Sequence, residues 1–356
     1  MTEPSAPEPI EHPEVQVPGP ANSEITHRVS GADSGVRRFD ESRPSALRIP
    51  RLRASAQWTP RLLVPAGFAV LLVLVQIGYP LSSGVARDRV TVVVVLLSAG
   101  TALVHAAATR GFRYAAGFLV IVSGLGLLAE IIGTATGFPF GCYDYADGRL
   151  GPAVAGVPLV VALAWTGGLY PVWVVAGLLT SRTAGRIALT AVGAVGWDLF
   201  LDPQMVADGQ WSWCATGWGL PGLDAIPYTN YLGWFAVALV MAGLLTALAR
   251  VAGTRTVGVR EAGTGRWFPI PTEALVPVVV FLWTWLGSTL AHAVFLDLPY
   301  SAWYGCVGLG VLGVPLLVRL IRARGNETVR TPSAGSFGRP AFRPSRGNRG
   351  RGPGTM

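Results

Sequence analysis

The stretch from Val90 to Gly133 reads VTVVVVLLSAGTALVHAAATRGFRYAAGFLVIVSGLGLLAEIIG, and it decides the fold. Two mostly apolar runs lie on either side of a short break that holds Arg110 and Arg113. Each run has the roughly 20 residues that a helix needs to cross the hydrocarbon core of a bilayer. The stretch therefore predicts two membrane-spanning helices, over residues 90–109 and 114–133, with a tight turn between them.

The same pattern recurs outward in both directions along the chain. Apolar runs of similar length occupy residues 62–80, 154–180, 186–201, 231–249, 274–296 and 302–321. Hydrophobic residues make up 51% of the chain and charged residues only 13%, whereas an average soluble domain carries about 25% charged residues. We therefore predict an all-α fold, namely a polytopic membrane helix bundle of about eight transmembrane helices within residues 58–322.

The two ends of the chain differ from this apolar region. Residues 1–57 are rich in Pro, Glu, Ser and Arg, and residues 323–356 form a basic segment rich in Gly, Arg, Pro and Ser. Both are poor in large apolar side chains, so they cannot bury enough surface to offset the entropy of ordering. We predict two disordered tails. The first apolar run follows a long polar segment, which favours a membrane helix over a cleaved signal peptide.

The distribution of arginine predicts the orientation in the membrane. All 28 basic residues are Arg, and 25 of them lie in the tails and in alternate loops on one side of the predicted bundle. The other side holds only Arg87, Arg89 and Arg149. Because positive residues collect on the cytoplasmic side of membrane proteins, we predict a multi-pass protein of the cell membrane with both termini in the cytoplasm. This asymmetry accounts for the net charge of +8, so we expect no nucleic-acid partner.

Two long loops fall on the predicted outer side. They read GTATGFPFGCYDYADGRLGP from Gly133 to Pro152, and WDLFLDPQMVADGQWSWCATGWGLPGLDAIPYTNYLGWF from Trp197 to Phe235. Their aromatic residues are typical of an interfacial belt, but their many Gly and Pro residues indicate a defined fold, such as a lid over a site. Cys142 and Cys214 lie one in each loop, which allows a disulfide but does not require one.

Four ionisable side chains reach the same predicted membrane level near the outer ends of the helices. They are Glu130, Asp198, Asp202 and His292, and the two aspartates are four residues apart and so share one helix face. A charged residue at bilayer depth costs about 2.5–3.5 kcal/mol on insertion scales, so it usually has a functional or pairing reason. Structural explanations stay open for each, and Asp202, which precedes Pro203, would in that case end its helix.

The other polar groups indicate less. His105 is predicted at the cytoplasmic end of its helix as an interface residue, and Asp144, Asp208 and Asp224 are predicted to be solvated or turn-forming. The four histidines include two in the N-terminal tail, so they cannot form the histidine boxes of a membrane di-iron oxygenase. No Asp-rich repeat suits a prenyltransferase. We expect neither a metal nor a cofactor, which leaves acid–base chemistry or a proton or solute path.

Several motifs in the outer half resemble a known family. Glu130 to Tyr145 reads E-x-x-G-x-x-T-G-x-P-F-G-x-Y-x-Y, Trp197 to Met205 reads W-D-L-x-L-D-P-x-M, Gly209 to Trp213 reads G-x-W-x-W, and Ile226 to Trp234 reads I-P-Y-x-N-Y-x-G-W. Together they are similar to the CruF-type carotenoid biosynthesis membrane proteins, from the first predicted helix to the eighth. The resemblance implies a cofactor-independent hydratase, a hydro-lyase of the carotenoid 1,2-hydratase or bisanhydrobacterioruberin hydratase type.

Such an enzyme adds water across the terminal isopropylidene double bond of an acyclic carotenoid end and makes a tertiary alcohol. The resemblance implies γ-carotene-like, lycopene-like or bisanhydrobacterioruberin-like ends as substrates within the bilayer. It also implies a carotenoid glycosyltransferase as a downstream partner, because the new hydroxyl is often glycosylated next. The sequence does not specify the carotenoid, whether one or both ends react, or the oligomeric state.

The carboxylate cluster suits this reaction, since a carboxylic acid kept protonated by an apolar site can donate a proton to an alkene. We predict Asp198 as the proton donor, with Asp202 and Glu130 as partners that orient water or stabilise charge. The predicted substrate-binding side chains are Tyr143, Tyr145, Trp197, Trp211, Trp213, Asn230 and His292.

Two other functions stay open. They are a membrane transporter and a non-catalytic carotenoid-binding subunit. A transporter would need polar groups in the cytoplasmic halves of the helices, which look almost entirely apolar in the sequence.

Overall fold

A computed structural model describes residues 60–214, 218–253 and 270–328, with side chains up to residue 323. Within these residues, eight helical segments are long and apolar enough to cross a membrane, which confirms the predicted bundle. They are α1 (Pro60–Gly78), α2 (Gly84–Arg110), α3 (Phe112–Thr136), α4 (Leu159–Leu179), α5 (Thr183–Ala207), α6 (Tyr228–Val251), α7 (Thr272–Phe295) and α8 (Pro299–Thr328). The predicted disordered tails lie outside the described residues.

Helix α4 forms the centre of the bundle. In its most apolar window 72% of the residues are buried, compared with 28–44% in the other seven spans. A helix that is apolar on every side has no face suited to water, so it is stable only inside the protein or in contact with lipid. The other helices expose large apolar side chains such as Val120, Leu232 and Val294, which form the surface expected to face lipid.

The half of the bundle away from the two long loops, predicted to be cytoplasmic, contains buried polar groups that the sequence did not reveal. His105 is only 2% exposed; its Nδ1 lies 2.8 Å from the Tyr170 hydroxyl and its Nε2 lies 2.7 Å from the Glu273 carbonyl oxygen. The carbonyl oxygen can only accept a hydrogen bond, so Nε2 carries the proton and Tyr170 donates to Nδ1. The predictions of His105 as an interface residue and of an almost wholly apolar cytoplasmic half are therefore wrong.

Two arginines bind the C-terminal end of α4. The buried Arg186 donates a hydrogen bond to the Trp173 carbonyl oxygen at 3.2 Å, and Arg319 donates to the Leu178 carbonyl oxygen. The last carbonyl groups of a helix lack partners within the helix and carry partial negative charge. Leu178 is one of these last residues, so Arg319 supplies a donor where the hydrogen-bond ladder of the central helix stops, whereas Arg186 contacts the helix further inside.

Helix α5 continues past Pro203 to Ala207, so Asp202 does not end it, contrary to one interpretation of the sequence. Proline has no N–H group, which leaves the carbonyl oxygen four residues earlier, that of Leu199, without its helical donor. The hydroxyl of Ser301 on α8 donates to this oxygen at 2.7 Å. A neighbouring helix thus compensates for the proline, as is common in membrane bundles.

The two long outer loops form short strands. β1 (Tyr143–Tyr145) pairs antiparallel with β4 (Trp211–Trp213), β2 (Ala153–Val154) with β3 (Val157–Pro158), and β5 (Gly219–Leu220) with β6 (Leu223–Pro227). The all-α prediction contained none of these pairs, and it began the fourth helix inside the β2–β3 hairpin. Cys142 and Cys214 form a disulfide at the end of the β1–β4 pair, with their Cα atoms 5.4 Å apart.

Two ion pairs attach these loops to the helices. Arg149 donates to Asp88 from Nε at 3.1 Å and from Nη2 at 2.6 Å, and Gln210 donates to the same carboxylate at 2.6 Å. Asp208 accepts from Arg87 at 2.6 Å and also from the Tyr79 hydroxyl. Asp208 lies in the turn after α5, in line with the turn-forming alternative, but it is paired and mostly buried, so it is not solvated.

We expect Arg149→Gln to lower the free energy of unfolding by about 1–3 kcal/mol, because the buried Asp88 carboxylate would lose its charged donor. Arg89→Gln serves as the control, because it replaces an exposed arginine on α2, the helix that carries Asp88. Thermal unfolding of the purified variants in detergent measures the difference. Equal melting temperatures for both variants would contradict the role given to the Asp88–Arg149 pair.

Candidate functional site

A cavity of about 190 Å³, called the slot below, is lined by residues from helices α1 to α7 and from the outer loops. On α7 its lining runs from Val280 to Leu296, a distance of about 24 Å at 1.5 Å per residue. The slot therefore follows the bundle axis. Much of its wall is apolar, including Leu72, Val94 and Val161.

Nine of the ten side chains predicted for the site line this slot, and they lie toward its outer end. The exception is Asp198, which is fully buried next to Asp202 and does not line the slot. The arrangement brings the three predicted acids into one neighbourhood. His292 lies on another flank of the slot, where its ring nitrogens contact Ser301 and Gln204.

Glu130 accepts three hydrogen bonds from aromatic side chains. The hydroxyls of Tyr143 and Tyr145 donate to Oε2 at 2.5 and 2.8 Å, and the Trp165 indole donates to Oε1 at 3.1 Å. The indole N–H can only donate, so this carboxyl oxygen is an acceptor. One turn along α3, a Cβ atom at Gly133 would lie 2.8 Å from the Tyr143 hydroxyl oxygen, so this contact requires glycine.

The two tyrosines are held as donors. Burial raises the pKa of Tyr143 and of Tyr145, and the neighbouring Glu130 carboxylate raises both further. Desolvation and a nearby negative charge both disfavour a phenolate. Both hydroxyls therefore keep their protons at ordinary pH and continue to donate to Glu130.

Asn230 on α6 bridges the two aspartates of α5. Its Nδ2 donates to Asp198 Oδ2 at 2.9 Å and also to Asp202 Oδ2. The two carboxyl groups are close enough to interact directly, and Trp211 interacts with Asp202. Asn230 and the two aspartates that it bridges are each at most 3% exposed. Asp198 Oδ1 has no hydrogen-bond partner among the described residues, so the second oxygen of this acid remains unsatisfied.

Aromatic rings surround the acids. Trp165 stacks on Trp234 with ring centroids 3.8 Å apart, and Trp197 meets Trp234 edge-on at 5.5 Å. On the other side, Trp211 and Trp213 of β4 pack on the two tyrosines that bind Glu130. A Cβ atom at Gly168 would lie 2.2 Å from the Trp197 ring, so only glycine admits this ring to the wall.

Sequence reasoning did not assign several of the polar and aromatic side chains that line the slot, among them Trp165, Trp234, Tyr79 and Gln204. Trp234 lies within a quoted motif and Trp165 within the fourth predicted helix, but each alone was indistinguishable from a belt or packing residue. Tyr79 and Gln204 gave no signal, because their importance comes from contacts with distant residues. Helix α7 contains two π-helical turns, Trp283–Gly287 and Ala291–Phe295, of a kind that is frequent at functional sites.

Within the described ranges, no group of three or more His, Cys, Asp or Glu side chains is arranged to hold a metal ion. The geometry supplies buried carboxyl groups, hydrogen-bond donors and ring faces beside an apolar slot. Such groups can move a proton and stabilise a cation.

Comparison with known proteins gives one match. A family model described as a carotenoid biosynthesis protein matches residues 90–281, which is more than half of the chain and includes every predicted site residue except His292. No curated protein and no solved structure matches.

We expect Asn230→Leu to destabilise the protein by about 1–3 kcal/mol, because two buried carboxyl groups would lose their shared donor. Leu232→Val, at an exposed position on the same helix, is the control. Melting curves in detergent provide the comparison, and an unchanged Asn230→Leu curve would show that the bridge does not stabilise the fold.

Proposed function

The chain belongs to the carotenoid biosynthesis protein family, and from that premise we propose that it hydrates the terminal isopropylidene double bond of an acyclic carotenoid end. One observation carries the proposal: a long apolar slot along the bundle axis ends at a cluster of buried acids. A rod-like polyene matches the slot in shape and polarity. Its tip would lie beside the acids, near the outer surface where water is available.

Asp202 is the proton donor in this proposal. It lines the slot, whereas Asp198 does not, so the role assigned to Asp198 from sequence passes to its neighbour. Asp198 and Asn230 hold Asp202 in place through the bridging amide. The proton goes to the less substituted alkene carbon and leaves a tertiary carbocation. A positioned general acid typically accelerates such a step by about 10²–10⁴-fold.

The surroundings of the acids suit a transient cation. The faces of Trp165, Trp197 and Trp234 can stabilise positive charge. Glu130 is held by three donors and contributes negative charge at a fixed position, which stabilises developing positive charge without reorganisation during the reaction. Water then captures the cation and gives the tertiary alcohol, with no net consumption of protons.

The proposed location is the cell membrane, with the acid end of the slot on the outer side and both termini in the cytoplasm. The arginine asymmetry supports this orientation. The Cys142–Cys214 disulfide supports it independently, because disulfides persist outside the reducing cytoplasm. The substrate would enter from the bilayer, and a glycosyltransferase acting on tertiary hydroxyls is a natural downstream partner.

One observation favours a transporter as the second candidate. A small cavity lined by His105 and Tyr170 adjoins the inner end of the slot, since Ser98 and Val280 line both. Polar groups thus occur toward both ends of the bundle. A carotenoid-producing host separates the candidates, because only a hydratase adds mass to the pigment.

In a host that makes a lycopene-like carotenoid, we expect the wild-type protein to add the mass of one water per modified end. Asp202→Asn should reduce the hydrated product by about 10²–10⁴-fold, because the amide cannot donate the proton. Mass spectrometry of the extracted pigment, normalised to protein level, gives the measurement.

Asp224→Asn is the matched control, because Asp224 is an exposed aspartate in the second outer loop. Unmodified pigment with the wild-type protein would rule out the hydratase. Full hydration by Asp202→Asn at normal protein level would instead rule out Asp202 as the donor.

A further inference from the structure

Helix α5 presents two different polar groups to the slot. Asp202 and Gln204 both line it, and two residues along a helix are about 160° apart around its axis. Leu201 lines the slot between these directions. The acid and the amide therefore flank the outer part of the slot from opposite sides of one helix.

The Gln204 amide is held by its neighbours. The amide lies 3.1 Å from His292 Nε2, and His292 Nδ1 lies 2.9 Å from the Ser301 hydroxyl. The Ser301 hydroxyl donates to the Leu199 carbonyl oxygen, so Nδ1 donates to Ser301, and Nε2 is left to accept from the amide N–H group of Gln204. Gln204 also lies close enough to the Tyr79 hydroxyl to interact with it. A primary amide offers two N–H donors and two oxygen lone pairs. These contacts orient the group and leave capacity for one more partner.

A polar chain connects Gln204 to the outer edge of the protein. The Tyr79 hydroxyl donates to Asp208, which is paired with Arg87 at 2.6 Å. The Arg87 side chain is 23% exposed, so this end of the chain reaches solvent. A line of polar side chains therefore links the slot to the surface of the protein.

We propose that Gln204, oriented by His292, holds the water molecule that captures the carbocation, on the flank opposite the acid pair. This inference rests on the proposed hydration. Asp202 gives its proton to the less substituted alkene carbon and so forms the new C–H bond. The water oxygen attacks the cationic carbon from the Gln204 flank of the slot and forms the C–O bond. The protonated alcohol passes its surplus proton to solvent along the Tyr79–Asp208 chain, and the acid pair takes one proton back from solvent.

A tertiary carbocation without a positioned water has other outcomes. It can lose a proton from an adjacent methyl group, or it can be attacked by a neighbouring double bond to close a ring. Both products have the mass of the starting carotenoid. Losing the positioned water therefore changes the product but leaves the protonation step intact. Losing the acid would instead abolish the protonation step.

The test compares Gln204→Leu with Asp202→Asn in a host that makes a lycopene-like carotenoid. For Gln204→Leu we expect the hydrated share of converted pigment to fall by about tenfold or more, because small misplacements of a reacting group have effects of this size. Isomers or cyclised products of unchanged mass should take its place. In D₂O, the recovered pigment should carry deuterium at the end group with Gln204→Leu but not with Asp202→Asn.

A second pair of variants covers a failure of Gln204→Leu to fold. His292→Gln keeps a polar group near the amide and should retain more of the hydrated product than His292→Leu. An unchanged hydrated share in Gln204→Leu, or a loss of hydration without isomers and without deuterium in folded protein, would overturn the water-holding role. If the wild-type protein makes no hydrated product, the proposed hydration itself fails. If the wild-type protein hydrates the pigment, the product ratio of Gln204→Leu tests the water-holding role alone.

Discussion

The end of the bundle beneath the two long loops depends on keeping three carboxyl groups, those of Glu130, Asp198 and Asp202, inside a largely apolar interior. A buried polar group without a partner costs more free energy than most single contacts contribute. The fold supplies donors from distant parts of the chain: two tyrosines from β1, an indole from α4 and the Asn230 amide from α6. The outer loops are therefore structured because the acids beneath them need partners.

This constraint also explains the order of the elements. The β1–β4 pair and the Cys142–Cys214 disulfide hold the aromatic donors above Glu130, and the Asp88–Arg149 pair attaches the same loops to α2. Because Ser301 satisfies the carbonyl group freed by Pro203, α5 can carry both aspartates and Gln204 on one continuous helix. The site is thus built on rigid helices and covered by short strands, which suits a reaction that needs a fixed acid and a fixed water.

Hydrophobic run length predicted all eight spans, because a bilayer imposes it on every helix separately. Motif and charge patterns predicted that the acids lie close together, although which of the two aspartates lines the slot depends on how α5 packs against its neighbours. Sequence reasoning missed the strands, since β1 pairs with β4 from a distant loop, and the β2–β3 and β5–β6 hairpins are too short to show an alternating pattern. It missed His105 for the same reason, because the Tyr170 and Glu273 groups that bury it lie far along the chain.

The central claim is that these residues alone, without a metal or a cofactor, join a proton and a water to a carotenoid end. The most direct test uses the purified protein in liposomes that contain a lycopene-like carotenoid, in water enriched in ¹⁸O. The account predicts a product with one heavy oxygen in a tertiary hydroxyl at each modified end, formed with no other addition. Pigment recovered unchanged by folded protein, or product whose oxygen does not come from water, would contradict it.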